Sequence, residues 1–237
     1  MKLVIENLKK SFEKKEVLKG INFTFEEGKI YGLLGRNGAG KTTLFNCLNE
    51  DIQIDEGSFF IEDDKKRNIE NNDIGYVLST PVVPEFLTGS EFIKFFLEIN
   101  KDKIKNPKSV DEYFNMVKIS KEDRDLLLKD YSHGMKNKMQ MLVNIIANPN
   151  IMLLDEPLTS FDVVVAEEME QILKEYKKNH ILIFSTHIME LALSLCDEIV
   201  LLNNGVLTMV EKDELNNEEL KRKIINLLKG EGDDNAK

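Results

Sequence analysis

The stretch Gly35-Arg36-Asn37-Gly38-Ala39-Gly40-Lys41-Thr42-Thr43 constrains the fold of this chain more than any other. It satisfies G-x-x-x-x-G-K-[ST] in full, and its flanks supply the context the motif needs. Residues 29–34 before it read as a short buried strand, and residues 42–49 after it read as a helix. A strand that turns tightly into a helix aims several backbone N–H groups and the positive helix end at one point in space. Gly35, Gly38 and Gly40 let the backbone pass close to phosphate oxygens where a Cβ would collide. Lys41 is then placed to reach the β/γ-phosphates, and the Thr42 hydroxyl is a hard oxygen ligand suited to Mg²⁺. Asn37, Ala39 and Thr43 complete the cradle. A plain glycine-rich turn before Lys-Thr would not need the strand and helix on either side. The expectation is a nucleoside triphosphate site.

The 237 residues suffice for one α/β domain or two small ones. Hydrophobic content of 42% with 31% charged residues is that of a globular protein, and no apolar run approaches the ~20 residues of a membrane span. Met1-Lys2-Leu3-Val4-Ile5-Glu6 has no apolar stretch before a cleavage site, so no secretory signal is expected. Cys47 and Cys196 fit neither metal spacing nor a disulfide framework, which leaves buried reduced thiols. A net charge of −10 argues against a nucleic-acid partner, whose phosphates need a basic face.

Residues 3–7 and 17–25 read as an antiparallel ribbon, with Ile21, Phe23 and Phe25 alternating against Asn22 and Thr24. Between them residues 10–15 form a polar turn carrying Phe12, which is either a plug under the loop or a flat surface for a base. Residues 57–61 and 74–78 read as further strands, separated by a charged loop over 63–73. Residues 82–147 contain helix starts but no convincing strand: Thr88 with Glu91 and Ser109 with Glu112 each fit a capping box. Phe92, Ile93, Phe95, Phe96 and Ile99 then offer one apolar face. Ser132 opens another helix with Met135, Met139, Leu142 and Ile146 on one side, ended by Pro149. A Ser before a Gly at a helix start is most often only an N-cap.

Ile151-Met152-Leu153-Leu154-Asp155-Glu156 is an apolar run without alternation, ending in two acids. That pattern suits a central parallel strand, and in open α/β sheets ligands sit at the carboxyl ends of such strands. Residues 163–178 read as an amphipathic helix, and the strand at 181–185 leads to Thr186-His187 at the same rim. Residues 198–203 and 206–210 form a hairpin around Asn204-Gly205, a primed turn.

In this order the motifs resemble the ATP-binding subunits of ATP-binding-cassette (ABC) transporters over residues 1–210. The resemblance rests on the P-loop, the helical insertion, Tyr131-Ser132-His133-Gly134-Met135, Leu153-Leu154-Asp155-Glu156-Pro157, Leu158-Thr159-Ser160-Phe161-Asp162 and Ser185-Thr186-His187. It implies a P-loop NTPase core with a mostly parallel sheet, an N-terminal antiparallel β subdomain and an inserted helical subdomain at about 82–147. All 237 residues would form a single domain, with a C-terminal helix at about 212–228 and a disordered tail at 230–237. The implied cofactors are ATP and Mg²⁺, and the implied activity is ATP hydrolysis coupled to transport.

By resemblance, Phe12 would stack on adenine, Asp155 would hold Mg²⁺ through water, Glu156 would polarise the attacking water and His187 would contact the γ-phosphate. Ser132 and Gly134 would bind the nucleotide of a second subunit in trans, and residues 158–162 would cross between subunits. The implied partners are that second ATP-binding subunit, identical or related, and an integral membrane subunit, which together place the chain in the cytoplasm at the inner face of the membrane. The Tyr131–Met135 variant and the lack of an appended regulatory domain incline the reading to export. His133, Met135 and Phe161 depart from the commonest family residues. So does Ser79, which stands where the family usually places a Mg²⁺-ligating Gln and is a shorter, weaker ligand. A soluble cassette ATPase acting on DNA or ribosomes, and a non-hydrolysing regulatory module, are the competing readings.

Overall fold

The computed structural model describes residues 1–70, 72–157 and 163–210, together with 222, 224 and 225. The crossing loop at 158–162, nearly all of the helix expected at about 212–228 and the tail at 230–237 lie outside the described residues. In chain order the elements are β1 (Lys2–Phe12), β2 (Lys15–Glu26), β3 (Ile30–Leu34), α1 (Lys41–Leu48), β4 (Glu56–Glu62), β5 (Lys66–Arg67) and β6 (Ile74–Val77). Next come α2 (Gly89–Ile99), α3 (Val110–Met116), α4 (His133–Ala147), β7 (Ile151–Asp155), α5 (Val163–Tyr176), β8 (Ile181–Thr186), α6 (Met189–Leu195), β9 (Glu198–Asn203) and β10 (Val206–Val210).

The strands form two sheets, one ordered β2-β1-β4-β5 and one ordered β10-β9-β3-β8-β7-β6. The first is antiparallel throughout; in the second only the β9–β10 hairpin is antiparallel. Strands β3, β7 and β8 are buried along their whole length. Their period of two sorts each run to two cores. Tyr31, Leu33, Ile151, Leu153, Ile181 and Ile183 pack toward α1 and the antiparallel sheet. Ile30, Leu34, Met152, Leu154, Leu182 and Phe184 pack on the other side with residues of α4, α5 and α6. On that side a Cβ at Gly32 would lie 2.9 Å from Cys196 Sγ, so the glycine makes room for a thiol that fills the helix–sheet seam.

Three local readings change. The β1–β2 ribbon runs on to Phe12 paired with Lys15, so the turn is only Glu13 and Lys14, with Glu13 left-handed at φ 53°. The strand pairing accommodates polar residues because that ribbon end faces solvent. Two residues of the charged loop, Lys66 and Arg67, add to the sheet as β5. In α2 the five apolar residues span about 160° of helix circumference at 100° per residue, more than one packing face covers. Ile93 is buried and Phe92 and Phe96 are partly covered, whereas Phe95 and Ile99 are 55% and 60% exposed. Both capping boxes form, with Thr88 and Ser109 each accepting from the backbone N–H three residues on. The Asn204-Gly205 turn has both residues at positive φ, 49° and 82°, as a primed hairpin requires.

Candidate functional site

Strands β3, β8 and β7 are neighbours in the sheet, and their carboxyl ends bring the P-loop, His187 and the pair Asp155-Glu156 to one rim. A cavity of about 260 Å³ there is lined by Val17, Asn37, Gly38, Gly40, Lys41, Thr42, Thr43, Ser79, Asp155 and Glu156. A larger hollow of about 520 Å³ at the far end of α1, around Cys47, Gln53 and Ile69, has Glu50 as the single charged residue of its lining among the described residues. Convergent chemistry, not volume, marks the rim as the site.

The loop geometry explains the glycines. Gly38 and Gly40 have φ of 79° and 108°, and a Cβ on Gly40 would meet Val17 Cγ1 at 2.8 Å. Val17 is thus the wall against which the loop closes, a role no motif announces. Lys41 is buried and donates to the carbonyl of Gly35 at 2.8 Å and of Arg36 at 3.4 Å. Its ammonium is folded back along its own loop and lies 3.5 Å from Glu156 Oε1. Gly35 and Ala39 shape the loop from behind: a Cβ on Gly35 would sit 3.0 Å from the Leu202 carbonyl and 3.3 Å from Ala39 Cβ.

The acids are held by different means. Asp155, 4% exposed, accepts from Thr42 Oγ1 at 2.9 Å and from Ser185 Oγ at 2.5 Å. Burial, and after it the negative charge of Asp155, pushes the nearby Tyr76 phenol up. Glu156 adopts φ 48°, a left-handed conformation unusual for a residue with a Cβ. Its N–H reaches Ser185 Oγ at 3.1 Å and the Ser185 carbonyl at 3.2 Å, which fixes it in that conformation. Its carboxylate then lies 3.0 Å from His187 Nδ1 as well as beside Lys41. Strain at such a position is tolerated where the surroundings over-determine it.

Of the sequence-predicted residues, Asn37, Gly38, Gly40, Lys41, Thr42, Thr43, Ser79, Asp155 and Glu156 line the cavity, and His187 joins it through Glu156. Phe12 lies at the turn end of the ribbon, 46% exposed with Lys10 Nζ 5.3 Å from its ring centre, outside the lining. Ser132 and Gly134 are also outside it; Ser132 is the N-cap of α4 and accepts from Met135 N at 3.1 Å. Sequence reasoning gave no role to Val17, Gln140 or Ser185, the last quoted only as part of Ser185-Thr186-His187. Ser185 had a faint signal, as a hydroxyl ending an otherwise apolar strand. Thr42 Oγ1 and Asp155 Oδ2 already touch, so the two hard oxygens fit a small divalent ion. Among the described residues no cluster of three or more His, Cys, Asp or Glu would hold a metal unaided. A cation here would therefore need phosphate oxygens and water to complete its shell.

A phosphate-cradling loop between β3 and α1, with acids at the end of a neighbouring parallel strand, defines a P-loop NTPase. The family description "ABC transporter" matches residues 18–159, and the chain belongs to that family, as an ATP-hydrolysing cassette. An uncharacterized ABC transporter ATP-binding protein of Methanocaldococcus jannaschii is 36% identical over 208 residues, 86% of this chain and 75% of the relative. A probable sulfate/thiosulfate import ATP-binding protein of Chlorella vulgaris is 30% identical over 215 residues, 89% of this chain and 91% of the relative. A dimeric ATP-binding cassette solved in a post-hydrolysis state with ADP and Pi superposes with a TM-score of 0.75 at 21% identity, covering 88% of this chain and 99% of that one; it speaks for the fold. Among the described residues, no helix is long and apolar enough to cross a membrane.

Proposed function

We propose that this cassette powers an exporter. Two copies, or this chain and a related one, close head to tail around ATP and pass that closure to a separate integral membrane subunit. The observation that carries the reading is the convergence of Lys41, Thr42, Asp155, Glu156 and His187 on one rim. In this proposal residues 1–237 act as one domain, and residues 82–147 are its helical insertion. Export as the direction rests on the Tyr131–Met135 sequence. The chain would sit in the cytoplasm, held at the inner membrane face by its partner.

Each residue has a proposed task. The P-loop backbone from Gly35 to Thr43 surrounds the phosphates, and Lys41 swings from its own carbonyls to a phosphate oxygen. Thr42 and Asp155, the latter through water, would hold Mg²⁺, with Ser79 of the same lining as a weaker oxygen ligand. When bound, that ion neutralises charge on the phosphates. Glu156 orients and polarises the attacking water, while His187 steadies the Glu156 carboxylate and faces the γ-phosphate. Phe12 offers its exposed ring to adenine. Ser132 and Gly134, at the start of α4, supply a second anion-binding helix end that one nucleotide cannot reach, and a second chain's nucleotide would. The exposed side chains of Val82 and Phe86, 71% and 79% exposed, with Phe95 and Ile99, form the proposed seat for a short helix of the membrane subunit.

Glu156→Gln tests the chemistry. It keeps side-chain size and removes the carboxylate, so turnover should fall ~10²–10⁴-fold while ATP binding persists. The variant should also accumulate an ATP-dependent dimer on size-exclusion chromatography. Wild-type turnover in this variant would remove Glu156 from the role.

A further inference from the structure

Gln140 is an amide inside the apolar flank of α4, buried beside Met139, Met141 and Leu142. Burying an amide is unfavourable unless its donor and acceptor are both used. Here Nε2 donates to the Leu78 carbonyl at 3.0 Å, and Oε1 accepts from Val82 N at 3.1 Å. One side chain therefore holds both ends of the loop Ser79-Thr80-Pro81, in the way a neighbouring strand would. Asn cannot span that gap in the same pose, being one methylene shorter, and no other uncharged side chain offers both a donor and an acceptor at that length.

One turn further along, α4 packs closely against β6 itself. A Cβ on Gly75 of β6 would lie 2.6 Å from Asn144 Oδ1 and 2.7 Å from Pro149 Cγ, and Asn144 Nδ2 donates to the Gln140 carbonyl at 2.9 Å. Helix α4 thus meets β6 at Gly75 and is bonded to both ends of the loop that follows it. Its other end begins at Ser132, about 12 Å along the axis from Gln140 at 1.5 Å per residue. The loop that Gln140 holds carries Ser79 into the cavity with Lys41, Thr42, Asp155 and Glu156.

We propose that Gln140 is a positioning residue: it ties Ser79 to α4, so the wall of the phosphate cavity and the start of α4 move as one unit. Nucleotide engaged at Ser132 by a second chain is thereby felt at Ser79 in this chain's own cavity. This last consequence rests on the head-to-tail reading above.

The test uses Gln140→Met and Gln140→Glu in the full chain. Met keeps the volume and loses both bonds; Glu, held neutral in so buried a place, keeps the acceptor for Val82 N and offers an O–H donor to the Leu78 carbonyl. Three quantities are read: hydrogen exchange at the Val82 amide, the thermal midpoint, and kcat against KM for ATP. The Met variant should exchange Val82 about tenfold faster or more, as a freed loop amide does, and lose about tenfold in kcat with KM unchanged. The Glu variant should retain Val82 protection and recover most of kcat. Unchanged Val82 exchange in the Met variant, faster exchange with wild-type kcat, or a uniform rise in exchange that tracks the midpoint would each overturn the proposal. Should the Met variant not fold, the Glu variant decides: lost Val82 protection or an unrecovered kcat refutes it. Failure of Glu156→Gln to dimerise would strike the head-to-tail reading alone, because Val82 exchange is measured on the isolated chain.

Discussion

Ser185→Ala should damage this enzyme more than the removal of one oxygen suggests. Ser185 is wholly buried at the end of β8, donating to Asp155 Oδ1 at 2.5 Å and accepting from Glu156 N at 3.1 Å. A hydrogen bond to a charged group contributes ~1.5–3 kcal/mol net, and a buried carboxylate oxygen left without it loses that stabilisation. For a domain of this size ~1 kcal/mol shifts the midpoint by ~2–4 °C, so a fall of about 3–12 °C is expected in differential scanning calorimetry. The larger effect should be on turnover. Glu156 holds φ 48° partly through its bond to the Ser185 hydroxyl, keeping its carboxylate beside Lys41 and His187. A shift of about 1 Å in a reacting group costs up to ~10²-fold, so kcat should drop ~10–100-fold. ATP affinity should move less than about threefold, since the Lys41 and P-loop contacts remain and a ~1 kcal/mol change is about fivefold. Combining Ser185→Ala with Asp155→Ala should be less than additive, because both remove the same Ser185–Asp155 bond. A midpoint within about 1 °C of wild type together with unchanged kcat would refute the view that Ser185 organises the two acids.

Ser132→Arg should abolish turnover yet leave ATP binding to the monomer intact, at ~1 kcal/mol of stability for the lost N-cap; mixed with Lys41→Ala chains, some ATPase should return, since one interface site carries both defects and the other neither. No recovery in a mixture that still dimerises would count against the head-to-tail arrangement. Phe86→Glu places a charge on a 79%-exposed ring, so basal ATPase should stay constant while a detergent pull-down of the membrane subunit weakens; an intact complex would sink the docking face. His180 is buried with Nδ1 2.6 Å from the Tyr176 carbonyl, and burial pushes its pKa below the ordinary 6.5. Its folded value thus lies under its unfolded one, so the stability it contributes is full above pH 6.5 and is lost as pH falls through the folded value. The midpoint should decline from pH 7 toward 5 in wild type and decline less in His180→Gln; equal slopes would show that other groups dominate.

The sequence announced what is local and stayed silent on what is paired at a distance. The P-loop was legible because nine consecutive residues carry its geometry, and β7 and β8 because full burial on both faces removes alternation from a strand. The acids and His187 followed, since parallel strands deliver their carboxyl ends to one rim whatever lies between them. Ser185 and Gln140 act across 30 and 62 residues of chain, on Asp155 and Leu78, and no spacing rule reaches so far. Phe95 and Ile99 failed for a related reason. Periodicity reports that a helix has an apolar arc, and only the neighbouring helices decide how much of that arc they cover. The surplus on α2 and the exposed Val82 and Phe86 all come after the loop that Gln140 holds, in the stretch from Val82 to Ile99. A partner seated there would press on the segment that ends at Val82, and through Gln140 on α4. On the proposed docking of a partner there, the amide that escaped sequence reading is where its load would enter the cavity.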